Sequence, residues 1–191
     1  ERPLGLSTTA CILVRGVARS GLESTIRPYT PVSTNADVGT LTLLVKTYPE
    51  GRMSRHLGDL GVGGSVEAMH GAANVKKQYP FGVGHVALLA GGSGITPTVQ
   101  ILHACLGNTR EGARGPLLYS NQAESDIVAR SMLLASQASS RGRLTVGHPL
   151  TRDPEGSGWG GRRGRIDRAL IEQHVPSPSS SLLIFVCGTP G

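Results

Sequence analysis

The sequence predicts a two-domain chain: a small antiparallel β-barrel over residues 1–77, then an α/β domain with a parallel sheet over residues 78–191. Three observations carry this reading. Up to about residue 77, short β-rich runs alternate with glycine and proline turns, the pattern of a small barrel. Beyond that point apolar strand-length runs alternate with helical ones, which argues for a parallel sheet covered by helices on both faces. Between the first such strand and its helix stands Gly91-Gly92-Ser93-Gly94-Ile95-Thr96-Pro97. Its glycines permit positive φ and close backbone approach, Thr96 suits an N-cap, and Pro97 suits the first helical position. Free N–H groups and the helix dipole then favour an anion over the turn. An ordinary strand–turn–helix corner would carry the same residues.

In the first domain, Ala10-Cys11-Ile12-Leu13-Val14 reads as a short apolar strand closed by Gly16 and Gly21. Residues 25–33, Thr-Ile-Arg-Pro-Tyr-Thr-Pro-Val-Ser, are expected to be extended, because each proline pushes its predecessor out of the helical region. The same prolines exclude a central strand, so this is an edge, a bulge or a ligand-facing segment. It offers a cation, an aromatic face and a hydroxyl in Arg27, Tyr29 and Thr30. The β-rich run Thr40 to Tyr48 predicts another strand. Ser54 is expected to cap a short helix over residues 55–60, with Gly51 and Arg52 making its start a second anion site. Residues 63–69 read as a turn and a strand.

In the second domain the expected order is strand 85–90, helix 97–106, strand 116–120, helix 123–136, strand 143–148, helix 167–174 and strand 182–187. Ligands of such sheets bind at the carboxyl ends of the strands, near the switch in strand order. Gly91-Gly92-Ser93-Gly94, Ser120-Asn121-Gln122 and Cys187-Gly188-Thr189-Pro190 all fall at such ends. The Gly/Arg-rich stretch 156–164 reads as a mobile loop, either plainly solvated or a basic docking patch.

Composition bounds the function. The 191 residues are 38% apolar and 4% aromatic, with 19 basic against 13 acidic side chains for a net charge of +6. That balance could favour an acidic partner, though a nucleic-acid-binding module lacks support, because no aromatic platform accompanies Arg162-Arg163. No run approaches the roughly 20 apolar residues of a membrane helix, and no signal peptide is visible. Cys11, Cys105 and Cys187 lie far apart with no C-x-x-C, so no metal site is expected, and an intracellular, reducing compartment fits. The first residue is not Met, and Pro190-Gly191 follows an apolar run, so a piece of a longer protein is expected.

Arg27-Pro28-Tyr29-Thr30-Pro31-Val32-Ser33, Gly51-Arg52-Met53-Ser54, Gly91-Gly92-Ser93-Gly94-Ile95-Thr96-Pro97 and Cys187-Gly188-Thr189-Pro190 stand in the order found in the ferredoxin-reductase-like flavoenzymes. Within that group the chain most resembles the NADH-cytochrome b5 reductases. Leu4-Gly5-Leu6, Lys46-Thr47-Tyr48 and Asn121 to Ile127 are similar too. Ala72-Ala73 and Thr189 depart from the family pattern.

The resemblance implies an FAD-binding barrel and an NAD-binding α/β domain. Arg27 would pair with the FAD pyrophosphate, since a guanidinium fork suits phosphate oxygens. Pro28, Tyr29, Thr30 and Ser33 would lie along the flavin, with Thr30 near its hydride-accepting nitrogen. Gly51, Arg52, Met53 and Ser54 would hold the pyrophosphate, and Lys46 and Tyr48 would line the nucleotide and flavin. Thr96 would touch the flavin. Gly91, Gly92, Ser93 and Gly94 would sit beneath the NADH pyrophosphate, with Asn121 and Gln122 at its adenosine end. Asp126 would disfavour a 2′-phosphate and so select NADH over NADPH. Cys187, Gly188 and Pro190 would border the nicotinamide, and Thr30 and Cys187 would be the catalytic pair. The implied reaction takes a hydride from NADH and passes single electrons to an acidic haem protein such as cytochrome b5. The implied location is cytoplasmic, or at the endoplasmic reticulum or mitochondrion through an anchor outside this chain. A non-catalytic accessory subunit of the same fold is the alternative.

Overall fold

A computed structural model describes residues 5–17, 24–70, 77–107 and 112–188. It divides into two compact units, Glu1–Gln78 and Tyr79–Gly191.

In the first unit β1 (Ile12–Val17) is the centre of a three-stranded antiparallel sheet, flanked by β2 (Ser24–Tyr29) and β3 (Glu67–His70). Pro28 lies opposite Leu13 on β2, an edge strand, where a missing N–H costs the sheet least. Helix α1 (Arg52–Gly58) brings Met53 into a core with Leu6, Ala10, Ile12 and Val14, against which Tyr29, Leu43 and Leu57 pack. The expected small barrel appears among the described residues as this three-stranded sheet. Residues 40–48 run without a strand ladder there. Thr42 is nevertheless tied to the segment after β2, accepting from the Val32 N–H at 2.9 Å and donating to Ser33 Oγ at 2.9 Å.

In the second unit β4 (His85–Gly91), β5 (Gly115–Ser120), β6 (Leu144–Gly147) and β7 (Leu182–Cys187) form a parallel sheet in the order β6-β5-β4-β7. The central strands β4 and β5 are apolar almost without interruption, as strands buried on both faces must be, and Ala87 and Leu117 are fully buried. Helices α2 (Ile95–Gly107), α3 (Arg130–Ser139) and α4 (Arg168–His174) supply Val99, Ile101, Leu102, Leu133 and Leu170 to the core. The chain steps outward from β4 to β5 to β6, then returns to the other side of β4 for β7. The switch in strand order therefore lies between β4 and β7, the position where such sheets open a ligand crevice.

Candidate functional site

The carboxyl ends of β4 and β7 are held together by their backbones. A Cβ on Gly94 would overlap the Cys187 carbonyl and stand 2.8 Å from the Gly188 nitrogen; one on Gly188 would lie 3.1 Å from Gly91 Cα. Only glycine fits here, so the sequence motif and the strand switch coincide. Gly92 has φ +52° and nothing within 4 Å of where a Cβ would stand, leaving an open backbone surface above the turn. Thr96 does not cap α2 as expected. A 3-10 turn over Gly92–Gly94 runs directly into the helix at Ile95, and Thr96 Oγ1 donates to the Ser93 carbonyl at 3.3 Å. Thr98 Oγ1, buried, donates to the Gly94 carbonyl at 3.1 Å and fixes the turn from below.

Asn121 follows β5 and is 5% exposed, yet neither Oδ1 nor Nδ2 has a hydrogen-bond partner among the described residues. Leaving a buried amide unsatisfied costs about 1–3 kcal/mol. A crevice that receives a polar ligand accounts for such a residue. Gln122 beside it is exposed. Asp126 Oδ2 accepts from the Ala123 N–H at 3.2 Å and caps the 3-10 turn Glu124–Asp126. Cys187 is free and exposed at the end of β7, and partial burial of its sulfur pushes the thiol pKa up, so it stays a neutral thiol. Thr189 and Pro190, like Leu4 and Ala72-Ala73, lie outside the described residues.

In the first unit Arg27 projects from β2 into solvent, its guanidinium donating to the Ile26 carbonyl at 2.8 Å. Tyr29 is half-buried, and burial raises its pKa against the opposing pull of the Arg27 charge. Thr30 and Ser33 are half-buried just beyond it. The Lys46 ammonium lies 5.8 Å from the centre of the Tyr48 ring. Ser54 is not the cap of α1: Gly51 is, in an extended conformation. Ser54 Oγ instead accepts from the Tyr48 N–H at 3.2 Å and donates to the Gly51 carbonyl at 3.3 Å, locking the Tyr48–Gly51 turn onto the helix start. Met53 is 4% exposed in the core, so only its backbone faces outward duty. The first N–H groups of α1 have no intrahelical acceptors, and the exposed guanidinium of Arg27 lies on the neighbouring strand. This donor set suits a pyrophosphate.

Sequence reasoning missed a third feature, a cavity of about 520 Å³ beside β6, lined by His148, Arg130, Glu124, Trp159 and Arg162 among others. The stretch read as a mobile loop closes it. Leu150 donates to the Arg162 carbonyl at 3.0 Å, Gly164 donates back to Leu150 at 2.8 Å, and Arg163 pairs with Asp153 at 2.9 Å. The signal for it was Trp159, the sole tryptophan of an aromatic-poor chain, set among glycines.

Comparison with known proteins agrees with this geometry. Residues 1–74 match the family model of the oxidoreductase FAD-binding domain, and residues 88–191 that of the oxidoreductase NAD-binding domain. The chain belongs to this family of FAD- and NAD-binding oxidoreductases. NADH-cytochrome b5 reductase 2 of Meyerozyma guilliermondii is 33% identical over 98% of this chain and 62% of its own length. NADH-cytochrome b5 reductase 1 of Arabidopsis thaliana is 35% identical over 98% of the chain and 65% of its own. The chain thus spans a little under two thirds of these curated relatives. The cytochrome b5 reductase domain of Ulva prolifera nitrate reductase superposes with a TM-score of 0.83 at 28% identity, covering all of this chain and 78% of that one.

Proposed function

We propose that the chain is the catalytic part of an NADH:haem-protein reductase, taking a hydride from NADH through FAD and delivering single electrons to an acidic partner such as cytochrome b5. The observation that carries this is the meeting of Gly91 and Gly94 with Cys187 and Gly188 at the strand switch. Residues 1–77 form the FAD-binding domain and 78–191 the NAD-binding domain. When bound, FAD converts two-electron into one-electron transfer, so the protein has to bind, orient and exclude water rather than supply strong acids or bases. Arg27 pairs with the FAD pyrophosphate, beside the N–H groups that open α1 at Arg52, Met53 and Ser54. Tyr29 lays its ring along the flavin, and Thr30 offers its hydroxyl to the flavin edge that receives hydride. Pro28 and Ser33 shape that wall, and Lys46 and Tyr48 close it. On the second domain, the backbone of Gly91, Gly92, Ser93 and Gly94 receives the NADH pyrophosphate, Thr96 faces the flavin, and Asn121 and Gln122 meet the adenosine side. Cys187, as a neutral thiol, positions the nicotinamide with Gly188 and Pro190. The net charge of +6 favours encounter with an acidic haem protein. An intracellular, reducing compartment suits the free cysteines, with any membrane association supplied by an anchor outside this chain. Mixing the FAD-supplemented protein with NADH and oxidised cytochrome b5 tests this: haem reduction must require both protein and NADH. No haem reduction in a folded, FAD-supplemented sample would favour the accessory-subunit alternative.

A further inference from the structure

The link between α4 and β7, Pro176-Ser177-Pro178-Ser179-Ser180-Ser181, is exposed along its whole length. Apart from its two prolines it is all serine. Helix α4 stops at His174 because Val175 turns extended, at φ −92° and ψ 131°, and Pro176 has no N–H with which to continue it. Pro178 in turn pushes Ser177 into extended backbone and removes the next N–H.

The four serines are not equivalent. Ser181 anchors the link to the sheet: its Oγ accepts from the Gly84 N–H at 2.9 Å and its carbonyl from the His85 N–H at 2.9 Å. The Ser179 carbonyl accepts from the Leu182 N–H at 3.2 Å, which curls the following residues into a turn against β7. Ser177 precedes that turn and lies in neither helix, strand nor turn. Among the described residues, Thr30, Thr96 and Ser177 are the hydroxyl side chains followed by proline. Thr30 is half-buried just beyond β2. Thr96 is half-buried inside α2, its Oγ1 donating to the Ser93 carbonyl at 3.3 Å. Ser177 alone of the three is exposed. An enzyme that modifies a hydroxyl before proline needs that hydroxyl accessible on extended backbone. The absent proline N–H then leaves no donor unsatisfied when the pair is buried in the enzyme's groove.

We propose that Ser177 is a phosphorylation site for a proline-directed serine/threonine kinase. Its Oγ attacks the γ-phosphorus of MgATP and forms a new P–O bond. The bond to the β,γ-bridging oxygen breaks, ADP leaves, and the hydroxyl proton passes to the kinase's base. The product carries close to two negative charges at neutral pH, which takes the formal +6 of the chain to about +4. β7 spans six residues, roughly 20 Å, between this link and the strand switch at Cys187. The phosphate therefore acts on surface charge and leaves the crevice at that switch unobstructed.

Separate samples of the purified full chain are incubated with MgATP and either a mitogen-activated protein kinase or protein kinase A, which selects for upstream arginine. Digestion and peptide mass mapping follow. The first kinase should add one phosphoryl group, about 80 Da, to the peptide holding Ser177 and none to those holding Thr30 or Thr96. Protein kinase A should leave Ser177 unmodified, because no Lys or Arg stands between Arg168 and Ser177. Ser177→Ala and, separately, Pro178→Ala should each lower incorporation at least about tenfold, whereas Ser179→Ala and Ser180→Ala should leave it within about twofold. All four side chains are exposed, so the variants should melt with the parent and any loss of labelling is local. No incorporation into the folded chain, labelling that survives Ser177→Ala, or mapping to Thr30 or Thr96 overturns the proposal. An undiminished rate in Pro178→Ala, or equal labelling of Ser177 by protein kinase A, overturns its proline-directed character.

Discussion

Replacing Gly94 by alanine should strike fold and dinucleotide site together. The new methyl would overlap the Cys187 carbonyl and lie 2.5 Å from its carbon, both backbone atoms of β7 that no rotamer change can clear. Relief requires β7 to move away from β4 at their last paired rung, Ala90 opposite Cys187. Overpacking costs typically about 1–3 kcal/mol, and a backbone obstacle places this case at the upper end. For a unit of this size about 2–3 kcal/mol lowers Tm by roughly 10–15 °C. A thermal melt followed by circular dichroism reads it. Gly107→Ala is the control, because a Cβ there meets nothing within 4 Å and its φ lies outside the left-handed region. Gly94→Ala melting within about 2 °C of the parent would refute the claim that β4 and β7 are held at glycine-only distance, since a far larger shift is expected.

Arg27→Ala should leave the melt unchanged, since the side chain is exposed, but weaken FAD retention by roughly 10- to 100-fold, the worth of lost charge-assisted hydrogen bonds. Unchanged FAD content after gel filtration would remove Arg27 from the pyrophosphate site. His148 has a folded pKa below its ordinary value of 6.5, so the unfolded chain takes its proton first as pH falls. Its contribution is therefore complete above that value and lost below it; His148→Gln should flatten the acid side of a Tm-against-pH curve, and an unaltered slope would contradict the burial argument. Ala129 precedes α3 with φ +59°, where a Cβ is strained. Ala129→Gly should raise stability by about 0.5–1 kcal/mol, the strain relieved less the added unfolded-state entropy, and a lower Tm would contradict it.

Much of this molecule was legible because local chemistry and fold agree. Pro28 marked an edge strand, the continuous apolar runs at 85–90 and 116–120 marked strands buried on both faces, and Gly91 to Gly94 marked the strand switch. The helix caps were misread because Ser54 and Thr96 are good caps by residue type, whereas a glycine in extended conformation opens α1 and a 3-10 turn opens α2. Both hydroxyls serve the turn beside them instead. Run 40–48 has strand composition, but its anchoring at Thr42 comes from a neighbouring segment's backbone rather than from its own pattern. The cavity was invisible because Glu124, Arg130, His148 and Trp159 come from four separate segments.

The central claim is that one chain passes a hydride from NADH to a flavin it holds itself. Its most direct test is the visible spectrum of the purified, undialysed protein before and after anaerobic addition of NADH. A flavin band that bleaches on addition is expected. A flavin band that NADH leaves untouched would contradict the nicotinamide site built on Cys187 and Gly188, and a folded protein that takes up no added FAD would contradict the claim itself.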